Sequence, residues 1–162
     1  MGQLKVKQLE TPEEKARYTH YLIKDLKALD KMLNEDLVEK DPIRIGAEQE
    51  FCLVTDDYFP SKKCIDVLET INDTHFTTEI GKFNLEINSD PLLLKDKCFS
   101  ELDTQLQTLL QKAEKASNSH QTKTLLTGIL PTLRYKHISE KYMTPKPRYH
   151  VLNSALKDSR SQ

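Results

Sequence analysis

Hydrophobic and polar positions alternate along residues 43–54, Ile-Arg-Ile-Gly-Ala-Glu-Gln-Glu-Phe-Cys-Leu-Val, with the period of two that marks a strand. Ile43, Ile45, Ala47, Phe51 and Leu53 fall on one face. Glu48 and Glu50 project together from the other, about 7 Å apart at the ordinary rise of ~3.3 Å per residue. Upstream, residues 11–34 carry Tyr18, Leu22, Leu26, Leu29 and Leu33 at helical spacing. They begin Thr-Pro-Glu-Glu, a capping residue followed by proline at the first helical position and acids in the first turn. Asp56, Asp57 and Pro60 close the strand as a turn, and residues 61–71 fit a short helix. Alternation returns at 74–79 and 82–88, separated by a turn at Gly81, and in the second of these Phe83, Leu85 and Ile87 alternate with Asn84, Glu86 and Asn88. Residues 99–117 place Leu102, Leu106, Leu109, Leu110, Ala113 and Ala116 three and four apart, the pattern of an amphipathic helix packed on a sheet. Residues 125–130 read as a buried strand, 135–147 as a loop and 148–159 as a final helix through Tyr149, Leu152, Ala155 and Leu156.

This order predicts an α+β fold, a largely antiparallel sheet with helices on one face, because the strands alternate rather than run continuously apolar. The expected organisation is a single domain over 1–162, with 1–42 as a helical extension. If the two acidic strands are neighbours, Glu48, Glu50 and Glu86 converge on the open sheet face. Like charges so placed repel, and a hard cation such as Mg²⁺ between them turns repulsion into coordination. The competing reading is a solvated face whose acids pair with lysine or arginine.

Composition narrows the classes. With 162 residues, 37% hydrophobic and 30% charged, the chain is long enough for a modest core. A formal net charge of −1 gives no general attraction to nucleic acid or anionic membrane, so no nucleic-acid partner is expected. No apolar run reaches transmembrane length and the stretch from Lys5 to Arg17 is polar, which predicts a cytoplasmic protein without a membrane partner. Cys52, Cys64 and Cys98 are odd in number and far apart, as expected of buried reduced thiols. Cys52 shares a face with Glu48 and Glu50, and two acids disfavour a thiolate, which excludes covalent thiol catalysis. His20, His75, His120, His137 and His150 show no paired ligand spacing and read as structural.

The residues taken in order resemble a family. Gly46-Ala47-Glu48-Gln49-Glu50-Phe51 resembles the opening Gly-x-Glu-x-Glu strand of the glutamate-cysteine ligase family and its related carboxylate-amine ligases. The second acidic strand of those enzymes has its counterpart in Thr78 to Asn88, with Glu79 seven residues ahead of Glu86. A long helix, Gly128-Ile129-Leu130-Pro131 and Arg148-Tyr149 complete the order. The resemblance implies a catalytic domain like that of glutamine synthetase and the family's reaction. There, ATP phosphorylates the γ-carboxylate of glutamate and the amine of cysteine, or another amine, attacks the acyl phosphate. It implies ATP and Mg²⁺ as cofactors, small-molecule substrates, Glu48, Glu50 and Glu86 as metal ligands with Glu79 as a fourth, and Arg148 as a contact to phosphate or substrate carboxylate. No side chain is assigned a covalent catalytic role. Leu130 stands where some members have histidine in Gly-Thr-His-Pro, which implies a subgroup difference. Family enzymes are considerably longer, so the expectation is an N-terminal fragment, inactive alone, whose unfinished sheet edge favours self-association. The alternative is a non-catalytic relative that binds a nucleotide or an amino acid.

Overall fold

The structure, a computed structural model, describes residues 6–7 and 9–160; residues 1–5, 8 and 161–162 of the expected domain lie outside them. The chain divides into two compact units, residues 1–43 with 146–162, and residues 44–145.

The second unit carries the sheet. Strands β2 (Glu48–Val54), β3 (Phe76–Thr78), β4 (Asn84–Asn88) and β6 (Lys123–Leu125) form an antiparallel sheet in the order β3-β4-β2-β6. Helices α2 (Cys64–Ile71) and α3 (Cys98–Ser119) close one face of it. Phe51, Leu53, Leu85 and Ile87 from the strands meet Cys64, Val67 and Ile71 of α2 and Ala113 and Ala116 of α3 in one buried cluster. This is the α+β arrangement expected. The small alanines let α3 lie close to the sheet, and alternation sends every second strand residue into the core. Asn72 ends α2 with φ 44°, a left-handed conformation asparagine tolerates, and its N–H donates to the Leu68 carbonyl at 3.0 Å.

The long strand expected over 43–54 is two strands. β1 (Arg44–Ile45) pairs with β5 (Leu92–Leu93) in a separate two-stranded ladder. Between β1 and β2, the Ala47 N–H donates to the Ser89 hydroxyl at 2.8 Å and the Ser89 N–H to the Ala47 carbonyl at 2.9 Å. A side-chain acceptor there replaces a ladder partner, and the strand breaks. The strand expected over 125–130 lies upstream instead, as β6 over Lys123–Leu125, and shares only Leu125 with that expectation. Beyond it, Leu130 is buried with Cys52 and Val54 while Leu126 and Ile129 are exposed. The second sheet face is thus half covered: the end bearing Cys52 and Val54 lies under this segment, and the end bearing the acids does not. Within 135–147, two 3-10 turns, Tyr135–Ile138 and Glu140–Tyr142, interrupt the loop.

The other unit holds two helices, α1 (Pro12–Asn34) and α4 (Pro147–Arg160). The start of α1 is as the sequence predicts. Thr11 accepts from the Glu14 N–H at 3.1 Å, Glu14 reaches back to the Thr11 N–H at 3.4 Å, and Pro12 takes the first helical position. No residue of α1 is buried. Among the described residues no helix is long and apolar enough to cross a membrane.

Candidate metal centre

Register builds the site. β2 and β4 pair so that Glu50 stands directly opposite Glu86, and Phe51 opposite Leu85 on the core side. Directly opposed side chains lie about 5 Å apart at Cβ, so two carboxylates of like charge are forced together. Glu79 joins them from just beyond β3, in the turn that leads to β4. One carboxylate oxygen from each of Glu50, Glu79 and Glu86 lies within 4.8 Å of the others.

That turn is tight. A Cβ on Gly81 would come within 3.0 Å of the Asn84 side-chain oxygen and 3.1 Å of the Phe83 ring, so both of these side chains would have to give way to it. Asn88 donates through Nδ2 to Glu86 Oε1 at 2.7 Å and so orients that carboxylate. Burial, then a hydrogen bond to Glu86 and the charges of Glu86 and Glu50, push the Glu79 carboxyl up to about 7. Among the described residues no lysine or arginine pairs with any of the three. The solvated-face reading required such pairs.

The donor set therefore fits a hard divalent cation: three carboxylates from three backbone positions, within 4.8 Å of one another, with no lysine or arginine paired to them among the described residues. Glu48 is on the same strand and face, two residues before Glu50, and stands opposite Asn88 rather than Glu86. It lines a depression of about 410 Å³ with Gly46, Ala47, Asn88 and Ser89, beside the trio rather than in it. Arg148 belongs to the other unit, exposed at the second position of α4, with its guanidinium 5.9 Å from the Tyr149 ring centroid. Cys52, Cys64 and Cys98 are all buried and in no disulfide, and burial pushes the Cys52 and Cys64 thiols up. Asn88 went unnoticed as a site residue in the sequence, although its place two residues after Glu86 on the polar face was a usable signal.

The sequence profile of the family described as glutamate-cysteine ligase family 2 matches residues 44–161. The chain belongs to this family. The match begins at the first residue of β1 and takes in the whole sheet with its acidic cluster. No curated protein and no solved structure matches the chain. Membership of the glutamate-cysteine ligase family 2 implies a function of the carboxylate-amine ligase kind, acting on small molecules.

Proposed function

We propose that the chain serves an ATP-dependent ligation that joins the γ-carboxylate of glutamate to an amine, with cysteine as the simplest acceptor. In this reading Glu50, Glu79 and Glu86 hold Mg²⁺, Glu48 extends the acidic surface toward a neighbouring ion or its water, and Arg148 binds a phosphate or substrate carboxylate. The observation that carries it is the trio of carboxylates within 4.8 Å on the uncovered half of the sheet, without a protein counter-cation among the described residues. Bound divalent ions would supply neutralisation of phosphate oxygens and alignment of the γ-phosphoryl group.

The protein's own part is to keep the carboxylates in place and ionised. Asn88 fixes one Glu86 oxygen and so orients that carboxylate. Glu79 must lose its proton before it can ligate, so divalent-ion affinity should rise as pH climbs through about 7. Arg148, if it meets a carboxylate or phosphate, can do so through two parallel hydrogen bonds.

The reading is tested by titrating Mg²⁺ with a non-hydrolysable ATP analogue into the chain and into Glu50→Gln and Glu86→Gln, between pH 6 and 8. Loss of metal-dependent nucleotide binding in both variants is the expected outcome. Equal binding in all three proteins would remove the metal assignment. With ATP in place of the analogue, glutamate-dependent ADP release would exclude the non-catalytic relative.

A further inference from the structure

Glu79 differs from its two partners in having no strand to hold it, since β3 ends at Thr78 and β4 begins at Asn84. A carboxylate on a free turn would sample many positions, and ordering it would subtract from any binding that depended on it. The turn is closed on itself by the Asn84 N–H to the Gly81 carbonyl at 2.9 Å and by a long bond from the Glu79 N–H to the Asn84 carbonyl at 3.5 Å, and on its outer side, where the Glu79 carbonyl faces, it is held from elsewhere. The Thr144 hydroxyl donates to the Glu79 carbonyl at 2.6 Å and the Thr144 N–H to the Ile80 carbonyl at 2.8 Å. Gly81 and Met143 form an antiparallel bridge, and the Lys82 N–H donates to the Tyr142 carbonyl at 2.7 Å. Residues 142–144 thus run as a strap along 79–82, recruited from 65 residues downstream of Glu79.

The strap is itself anchored. Thr144 is completely buried, with its hydroxyl 4.0 Å from the Cys64 sulfur at the start of α2. The Tyr142 ring packs edge-on against His137 at 5.1 Å between centroids, and His137 Nδ1 accepts from the Arg134 N–H at 3.1 Å. A buried hydroxyl between a backbone acceptor and a thiol has no water to replace a lost partner, so its bond to Glu79 is costly to break.

We propose that Thr144 is a positioning residue of the acidic cluster: by fixing the backbone of Glu79, it keeps that carboxylate within coordinating reach of Glu50 and Glu86. The inference rests on the reading of the three acids as metal ligands. Residues that orient a ligand typically change metal affinity by about 10- to 100-fold when altered, although they never touch the metal.

Mn²⁺ alone is a suitable probe, because the loss of its free-ion magnetic resonance signal reports binding without turnover. The comparison uses the chain, Thr144→Val, Thr144→Ser and Val67→Ala, a truncation in the core under α2. Thr144→Val is expected to weaken Mn²⁺ binding about 10-fold or more. Thr144→Ser restores it, and Val67→Ala lowers the thermal midpoint while leaving affinity unchanged. Should Thr144→Val not fold, Thr144→Cys, with its weak S–H donor, takes its place and should bind more weakly than Thr144→Ser. Wild-type affinity in folded Thr144→Val, or an equal loss in Val67→Ala, would overturn the positioning role with the metal reading intact. No Mn²⁺ binding by the unaltered chain would instead remove the metal reading, and the inference with it.

Discussion

On the helix side of the sheet, Phe51 faces Leu85 under α2 and α3, and neither is exposed at all. One residue back along β2, on the opposite side, Glu50 faces Glu86 with Glu79 within 4.8 Å and no protein cation among the described residues to offset them. The same ladder, with the same register, therefore supports one pair that is stable where it is and one that repels itself. Burial of apolar area accounts for the first at about 25 cal/mol per Å² removed from water. The Asn88 amide on Glu86 and a proton retained on Glu79 relieve the second in part, and groups whose ionisation is shifted by such neighbours gather where a ligand can complete the relief.

The sharpest way to break the comparison is to damage each face and ask for opposite signs. Leu85→Ala should destabilise the chain by about 2–5 kcal/mol in denaturant titration, as expected for a fully buried leucine replaced in a packed core. Glu79→Gln should do the reverse in the absence of divalent ions. The Glu79 carboxyl titrates near 7 in the folded protein against an ordinary value of 4.5, so between those pH values the folded state keeps a proton that the unfolded state has released. Stability then falls as pH rises across that window and stays lowered above it. Replacing Glu79 with glutamine removes this loss, and a gain on the order of 1 kcal/mol at pH 8, vanishing near pH 4, is expected after allowance for solvent screening. A destabilised Glu79→Gln at pH 8 would mean that the acids are not in mutual repulsion.

The two faces were also unequally legible. Period-two alternation alone put Phe51, Leu53, Leu85 and Ile87 on one side and Glu50 and Glu86 on the other, because side-chain direction follows directly from strand geometry. Glu48 has the same alternation as Glu50 yet lies outside the trio, since direction says nothing of distance along the strand and its partner across the ladder is Asn88. Glu79 entered through the resemblance, and its approach to the others depends on the turn at Gly81 and on Thr144, neither of which has a periodic signature. The Gly46–Ala47 break was hidden for a similar reason. It depends on a hydroxyl at Ser89, 42 residues away in sequence. Long-range hydrogen bonds to backbone leave little trace in local pattern.

A smaller effect separates the two faces by pH at a single histidine on the helix side. His75 sits between two carboxylates, with Nδ1 2.6 Å from Asp73 and Nε2 3.1 Å from Asp90, while Lys112 of α3 reaches Asp73 at 2.6 Å. Asp90 is tied to the same helix through its N–H, which donates to Gln105 at 3.1 Å. The hydrogen bonds to Asp73 and then Asp90 raise the His75 imidazole above its ordinary value, and Lys112 and His75 hold Asp73 well below the usual carboxylate range. A raised histidine contributes its full stabilisation below the unfolded value of about 6.5 and loses it as pH rises through the folded value. Its sign thus matches that of Glu79, but its cause is attraction rather than repulsion. The thermal midpoint of the chain should exceed that of His75→Gln by a few degrees at pH 5.5, with the gap closing toward pH 8.5. A gap that stays constant with pH would mean that a neutral imidazole makes the bridge and that the helix side carries no proton linkage at this point.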